Sequence, residues 1–467
     1  MRTPPLTPAS AGGSARGSAG SRAGGAAPRR ATWPELDLLR GLAGLAMVVN
    51  HAAVALVPAS AAALLAPPDP PLSMGPAAWA SFLGSFAPMI FFFVTGVGYG
   101  LQARPGGVPR KAGLWPKVAA LLLADALLWR SWGLWIGLDF FGFIAASMAL
   151  LAWLNRLDRR RALLAAGVLL AAVSALRYAA VPAAERLLGP AVADAVAPWV
   201  GQRPVRGVSF PPMPWLGYPL VGFWVGAGAT AFAQAVSRRR WAVAAGLVAV
   251  AAAAVAAAAA FIGLGHPLHR WERLSPSSYA AGFGVVALLL ALCLVAFGPG
   301  GARPADGGPR RGPGPAVRGL SLRGVAAFAV VPLHFGVLAA LVGLGVRSTT
   351  TAGLFLWTGL VAALALGLAP RVAAAADRLG RSGGVAAAWW SGLGVALLAL
   401  GLLSVSGWGE RPSRVLVASL GQLALCLPLA LPPPWRAAPA PAAAPFSSPL
   451  ASGPGPSDTA VTPPAPA

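Results

Sequence analysis

The sequence predicts an all-α fold: a polytopic membrane helix bundle of about 10–12 transmembrane helices with disordered termini. Hydrophobic residues make up 57% of the 467 residues, and only 10% are charged, whereas roughly a quarter of a soluble protein is charged. The mean hydropathy is +0.68. Apolar residues also run in uninterrupted blocks of about 20, which is the length of helix that crosses a bilayer core. We therefore expect a lipid bilayer to surround most of the chain.

Both ends of the chain differ in composition from the rest. Residues 1–31 and 436–467 are rich in Ala, Gly, Ser and Pro and have little apolar surface to bury, which is typical of disordered tails. One transmembrane domain is expected between them, at 32–435. Its candidate spans lie near 38–58, 78–101, 113–131, 136–154, 162–181, 213–235, 241–264, 279–298, 320–345, 351–371, 384–405 and 413–432.

Basic residues follow every even-numbered span, whereas the loop at 59–77 contains no Lys or Arg. This asymmetry places both termini in the cytoplasm of a cell-membrane protein. It also explains the net charge of +23 without a nucleic-acid partner, because no basic face interleaved with aromatic residues is present. The cluster Trp129, Trp132 and Trp135 is expected to form an interfacial aromatic belt.

The first span contains two ionisable side chains, Arg40 and His51, with ten residues between them. At 1.5 Å per residue His51 lies roughly 16 Å along the helix, near mid-bilayer. Imidazole exchanges a proton near neutral pH, and a guanidinium can hold phosphate groups. An ionisable residue inside the membrane indicates function. The alternative is an arginine that snorkels, paired at i, i+3 with Asp37, and a histidine that hydrogen-bonds to a neighbouring helix.

Three further polar residues lie within or beside spans. His334 lies about 21 Å into its span and follows Pro332, which can kink the helix, so it is a candidate functional residue. Asp125 and Asp139 are isolated carboxylates near Arg130. A structural ion pair and a role in substrate binding both remain open for them.

Two short patterns imitate other sites. "HPLH" contains His266 and His269, but it has no adequate set of further ligands, so no metal site is predicted. "GVGYG" at 96–100 resembles a phosphate loop, but it ends an apolar helix rather than following a strand. Close helix packing is the expected role of its glycines.

Four segments, taken in order, resemble integral-membrane acyltransferases of the acyltransferase 3 group and the related heparan-alpha-glucosaminide N-acetyltransferase-like proteins. "LDLLRGLAGLAMVVNH" at 36–51 resembles their first-helix signature of a basic residue, ten residues and a histidine. "APMIFFFVTGVGYG" at 87–100 is similar to their aromatic-rich second helix. "FPPMPWLGYPLVGFWVGAG" at 210–228 is similar to a Pro-Trp-then-Gly helix of the N-acetyltransferase-like branch, and "SLRGVAAFAVVPLHFGVL" at 321–338 resembles a late histidine-bearing helix.

The resemblance implies that 32–435 is an acyltransferase-like domain. It would move an acyl group, commonly acetyl, from cytoplasmic acetyl-CoA to a hydroxyl or amine of an envelope or exported glycan or glycolipid. His51 would be the general base or a transient acyl carrier, and Arg40 would place the donor. Arg110, Lys111 and Lys117 are candidate donor contacts. The acyltransferase 3 Arg-two-residues-Arg element is not matched there, however, so ordinary positive-inside charge is the competing explanation.

A secondary transporter or flippase is the alternative class, with His51, Asp125 and His334 as a proton relay. The absence of a visible internal repeat and the ordered family-like segments favour the enzyme. An acyltransferase predicts a cavity that joins the cytoplasmic face to His51. A transporter predicts two pseudo-symmetric halves around a midplane pocket.

Overall fold

The computed structural model describes residues 34–60, 75–102, 113–135, 137–202, 207–268, 274–297, 314–382, 384–405 and 409–433. Within these ranges the chain is helical, and its one β-type contact is an isolated bridge between Leu138 and Val208. The predicted all-α membrane bundle is confirmed. The helices are α1 (Pro34–Leu56), α2 (Pro76–Gly84), α3 (Ala87–Gly100), α4 (Leu114–Ser131), α5 (Phe140–Leu154), α6 (Arg159–Leu188), α7 (Pro190–Val196), α8 (Pro212–Trp215), α9 (Gly217–Ala227), α10 (Ala229–Gly263), α11 (Pro276–Ala296), α12 (Pro315–Leu320), α13 (Val325–Gly343), α14 (Thr351–Arg381), α15 (Val385–Ser404) and α16 (Arg411–Ala430).

Each of the twelve predicted spans overlaps at least one of these helices. Among the described residues nine spans are long and apolar enough to cross a membrane; α2 and α3 together form one of them. The other three correspond to α4, α5 and α8–α9. Helices α5 and α9 are shorter, and α4 carries Lys117, Asp125 and Arg130. The predicted tails at 1–31 and 436–467 lie outside the described residues.

Helix α1 is central to the bundle, because it packs against α2, α3, α11, α13 and α14. At its beginning the Leu322 amide donates to the Asp37 carbonyl over 2.9 Å, and just past its end the Ser348 amide donates to the Leu56 carbonyl over 2.8 Å. We call the side of the bundle on which Pro34 lies the start face. The side on which Leu56 lies is the end face. Because both ends of α1 are held by these contacts, Arg40 and His51 have defined depths between the two faces.

Helices α3 and α9 pack at backbone contact through their glycines. A Cβ at Gly96 would overlap the Pro219 carbonyl, and one at Gly222 would overlap the Phe93 carbonyl. Small residues allow such an approach, which is how helices associate in membranes. The prediction that "GVGYG" serves helix packing is confirmed for Gly96 and for Gly100, whose Cβ would meet the Phe223 carbonyl.

A matched pair of substitutions tests this packing. Gly96→Ala is expected to lower the thermal unfolding temperature sharply, because the methyl group would push α9 away from α3. Gly98→Ala is the control, since a Cβ there meets nothing within 4 Å. It should leave the unfolding temperature unchanged or raise it slightly, because alanine favours the helix. Equal melting of the two purified variants would contradict this packing.

A buried ion pair ties α1 to α10 near the start face. Arg240 Nη2 lies 3.1 Å from Glu35 Oε1, and each side chain is 8% exposed. Arg240 Nε also donates to the Leu294 carbonyl of α11. Removing one member leaves an uncompensated charge, which typically costs about 3–5 kcal/mol.

We therefore expect Arg240→Ala to destabilise the folded protein markedly. The exposed pair of Arg161 and Asp158 provides the control, because its side chains are 81% and 55% exposed. Loss of such a pair costs less than about 1 kcal/mol, so Arg161→Ala should melt like the parent. A thermal unfolding series in one detergent compares the three proteins, and an unshifted Arg240→Ala transition would show that the pair contributes nothing.

Candidate active site

The two intramembrane histidines predicted from the sequence are in direct contact. His51 Nδ1 on α1 lies 2.8 Å from His334 Nε2 on α13, across 283 residues of sequence. The second ring nitrogen of His334, Nδ1, lies 2.8 Å from the Val330 carbonyl oxygen one turn earlier. His334 is fully buried, whereas His51 is half-buried. One ring is therefore part of the core, and the other is accessible.

These two hydrogen bonds determine where the protons lie when both rings are neutral. A carbonyl oxygen can only accept, so His334 Nδ1 must be the N–H donor. A neutral imidazole has a single N–H, and His334 Nε2 is consequently an acceptor. His51 Nδ1 must then donate to it. The lone pair of His51 is therefore on Nε2, the ring nitrogen that makes no contact with His334.

Aromatic packing holds the His51 ring in place. The His51 and His334 rings stack with centroids 5.0 Å apart and planes inclined by 17°. Phe335 stacks on His51 with a centroid distance of 4.7 Å and packs against His334 at 4.4 Å. The imidazole is thus fixed by its hydrogen bond to His334 and by the ring of Phe335, as a preorganised reacting group requires.

His51 lines a cavity of about 720 Å³. Most lining residues are apolar, and a few polar groups are placed among them, as in small-molecule sites generally. The lining residues are Met47, Asn50, His51, Val54, Ala55, Gly84, Ser85, Ala87, Pro88, Leu128, Trp132, Asp139, Phe140, Phe141, Ser209, Phe210, Val331, Phe335, Leu338, Ala339, Val342, Arg347, Arg411, Pro412 and Val415.

The cavity opens on the end face. Its outer residues belong to helix ends on that side: Ala55 near the end of α1, Arg347 just beyond α13 and Arg411 at the start of α16. Its inner residue Met47 lies nine positions before Leu56, roughly 14 Å into the bundle. The sequence predicted a cavity leading to His51 from the face of Arg40. The cavity found leads there from the opposite face.

Arg40 is near the start face and is not among the residues that line the cavity. Its guanidinium pairs with Asp37 at i, i+3, as expected. Asp37 also pairs with Arg323 over 3.2 Å. Lys117 is half-buried in the first turn of α4, and Arg110 and Lys111 lie outside the described residues.

The two candidate carboxylates are neighbours, but neither makes an ion pair with Arg130. Asp125 Oδ2 accepts hydrogen bonds from Trp129 Nε1 at 3.2 Å and from the Asp139 amide at 3.1 Å. Asp139 lines the cavity and caps α5, accepting from the Phe140 amide at 2.7 Å. Arg130 instead donates to the carbonyls of Leu134 and Leu403, each at 3.3 Å. Carbonyl oxygens therefore accept from two nitrogens of this guanidinium, and backbone and indole donors bind Asp125 Oδ2, whereas Arg130 Nε and Asp125 Oδ1 are buried without a hydrogen-bond partner among the described residues.

The tryptophan cluster does not form a single belt. Trp129 is 3% exposed and bonds to Asp125, so it belongs to the core. Trp132 lines the cavity, and Trp135 is 69% exposed. The expected interfacial position fits only Trp135. Trp129 and Trp132 remain in contact with ring centroids 5.1 Å apart, whereas α4 ends at Ser131 and Trp135 lies beyond it.

The remaining predictions concern a proton relay and a metal site. In the described part of the chain no hydrogen bond links Asp125 to either histidine, so the three-residue relay of the transporter hypothesis is not continuous. The same residues contain no group of three or more His, Cys, Asp or Glu arranged to hold a metal ion. His266 is described, whereas His269 is not.

Two arginines of the cavity, Arg347 and Arg411, were not singled out from the sequence. Both are exposed at ends of apolar spans on the face with the fewer basic residues. That position runs against the positive-inside distribution. The unusual position of these two arginines could therefore have been noticed in the charge pattern. Only the structure places both side chains at one cavity.

The family model described as "Heparan-alpha-glucosaminide N-acetyltransferase, catalytic" matches residues 33–266, half of the chain. The match includes His51, Asp125 and Asp139 and ends before α11, so it does not include His334. No curated protein and no solved structure matches the chain.

Proposed function

Because the chain belongs to the heparan-alpha-glucosaminide N-acetyltransferase catalytic family, an acetyltransferase family of the membrane, we propose that it acetylates a glycan or glycolipid. The donor is acetyl-CoA from the cytoplasm. The acceptor is a hydroxyl or amine of an envelope or exported sugar. Basic loops on the start face support placing that face, and both termini, in the cytoplasm of a cell-membrane protein.

The observation that carries this proposal is the His51 imidazole, which lines a cavity inside the bundle while its Nδ1 is hydrogen-bonded to His334. A general base must carry a free lone pair within hydrogen-bonding reach of the proton that it takes. The hydrogen-bond chain from Val330 through His334 leaves that lone pair on His51 Nε2.

In the proposed reaction His51 Nε2 takes the proton of the acceptor hydroxyl or amine as the acceptor attacks the thioester carbonyl. The new bond joins the acceptor oxygen or nitrogen to the acetyl carbon, and the carbon–sulfur bond breaks. The thiolate of CoA then takes the proton from His51. In the alternative course the acetyl group first moves to Nε2 and is transferred from there. Both courses need the same unprotonated nitrogen.

His334 is proposed as a positioning residue. Its Nε2 accepts from His51 Nδ1–H, which fixes the His51 tautomer and steadies the positive charge that forms when Nε2 is protonated. The triad histidine of serine proteases is oriented by an aspartate in the same way. Burial of His334 keeps competing water away from this bond.

Arg40 is proposed to hold the phosphate-bearing end of the donor at the start face, with Arg110, Lys111 and Lys117 as further contacts. A phosphate would compete there with Asp37, the present partner of Arg40. Arg40 lies roughly 16 Å along α1 from His51. The cavity reaches His51 from the end face, so a pantetheine arm that starts at Arg40 requires the helices on the start-face side of His51 to separate. Asp139 is proposed to accept a hydrogen bond from the sugar, with Asp125 holding the Asp139 backbone.

The proposed function is tested with purified full-length protein, isotopically labelled acetyl-CoA and envelope glycans. Labelled acetyl groups on a glycan, detected by mass spectrometry, are the expected result. The same glycan should lack its acetyl group in a deletion strain. Full acetylation of every envelope glycan in that strain, together with no labelled product in vitro, would contradict the assignment.

A further inference from the structure

The mouth of the His51 cavity on the end face carries two positive side chains. Arg347 follows α13, and Arg411 is the first residue of α16; both line the cavity and are exposed. Within the described part of the chain no carboxylate forms an ion pair with either guanidinium. Two positive groups from separate segments of the chain therefore line the same cavity.

The neighbouring arginines on this face have other partners. Arg414 donates to the carbonyls of Ser131, Arg130 and Leu403, and it does not line the cavity. Arg347 uses one nitrogen, Nη1, for the carbonyls of Val346 at 2.8 Å and Val342 at 3.3 Å. These bonds anchor its side chain and leave Nε and Nη2 for a ligand. The Arg411 guanidinium forms no hydrogen bond or ion pair within the described residues and keeps all its donors.

Two carboxylates could offset the charge of these arginines: that of Glu410, which precedes Arg411, and that of Asp139, which lines the cavity. Glu410 precedes α16, is exposed and makes no capping hydrogen bond, and it is not among the residues that line the cavity. Asp139 also lines the cavity, but its Oδ1 accepts the Phe140 amide. Among the residues that line the cavity, two guanidiniums therefore face one carboxylate.

We propose that Arg347 and Arg411 form an anion-binding site that holds a phosphate group of the acceptor while its sugar reaches His51. Guanidinium donors match the oxygens of phosphate, and two of them can hold one group from two sides. Trp132, half-buried in the same cavity wall, offers an aromatic face for the sugar. The binding of phosphate is inferred from the cavity and its two arginines. The transfer of an acetyl group to the bound sugar rests on the proposed function.

Two sources of the phosphate have the same chemistry. One is a lipid-linked sugar phosphate, whose chain would lie along the apolar wall of the cavity and the exposed side chain of Val54. The other is a soluble sugar phosphate that enters from the aqueous side. The site requires the phosphate in both cases, and the acceptors used in the test distinguish them.

The test measures binding and transfer separately in purified full-length protein. An amino-sugar 1-phosphate, a polyprenyl-linked sugar phosphate and a neutral glycoside are titrated against tryptophan fluorescence and then supplied as acceptors with acetyl-CoA. Arg347→Gln and Arg411→Gln are expected to raise Kd and KM for the phosphate-bearing acceptors about tenfold or more. Values for the neutral glycoside should not change.

Arg186→Gln is the matched control, because Arg186 is an exposed arginine in the last turn of α6 and does not line the cavity. It should behave as the parent. Tighter binding of the lipid-linked compound than of the soluble one would identify a lipid acceptor. Equal binding of the two compounds would identify a soluble acceptor. Equal Kd values for phosphate-bearing and neutral sugars in the parent would overturn the inference, as would unchanged phosphate binding in both cavity variants. Phosphate binding without any acetyl transfer would overturn only the proposed reaction.

Discussion

His51→Ala is expected to lower kcat for acetyl transfer by about 10²–10⁴-fold, the range for loss of a positioned general base. The substitution removes Nε2 and leaves an apolar helix, so the protein should still insert into the membrane. Its KM for acetyl-CoA should stay close to the parent value, because no proposed donor contact is altered. Labelled acetyl transfer by equal amounts of folded protein measures the change.

His266→Ala provides the control for this loss. His266 is in the loop after α10, packs its ring 6.2 Å from that of Phe261 and does not line the cavity. Its replacement should leave kcat unchanged. Parent-level transfer by His51→Ala would show that another group takes the proton, and the assignment of His51 would then be wrong.

His334→Leu is expected to lower kcat about 10–100-fold, as happens when the partner that orients a functional histidine is lost. Leucine fills the buried position but cannot accept from His51 Nδ1–H. The His51 ring is then free to place its proton on Nε2, which is the wrong tautomer for the base. The effect should fall on kcat rather than on KM.

His334→Gln separates this role from packing. Its amide oxygen can accept from His51 Nδ1–H and its amide nitrogen can donate to the Val330 carbonyl, so the hydrogen-bond chain is retained. Glutamine should recover much of the activity that leucine loses, at a similar unfolding temperature. Equal kcat values for the two variants would mean that His334 acts only through packing.

The residues of α1 show how much the sequence reveals. Its apolar length and the interruption by His51 predicted both the helix and the importance of the histidine, because ionisable groups are rare in hydrocarbon. The pairing of Arg40 with Asp37 also followed from local spacing. The helix, its buried histidine and the Asp37–Arg40 pair depend only on residues close together in sequence, so one sequence is enough to predict them.

Contacts between distant segments could not be predicted in the same way. His51 and His334 are 283 positions apart, and nothing in either helix specifies that the two rings share a hydrogen bond. For Asp125 and Asp139 the sequence left open a structural ion pair with the nearby Arg130 and a role in substrate binding. In the folded chain Arg130 donates to the Leu403 carbonyl on α15, and Asp125 accepts from the indole of Trp129 instead.

The direction of access to His51 was also predicted incorrectly. The spacing of Arg40 and His51 suggested a path from the start face, but the cavity is bounded by the far ends of α1, α4 and α13 and the first turn of α16. The shape of this cavity depends on the distances between the ends of these four helices. Hydropathy and charge patterns place each end at a face of the membrane but do not give the distances between the ends.

The central claim is that the His51–His334 hydrogen bond leaves the lone pair of His51 on Nε2. Nitrogen-15 NMR of histidine-labelled protein in lipid, assigned with the His51→Ala and His334→Leu variants, observes this directly. With both rings neutral the account predicts a protonated Nδ1 and an unprotonated Nε2 in His51, and the same tautomer in His334. A His51 ring protonated at Nε2 and unprotonated at Nδ1 would contradict it.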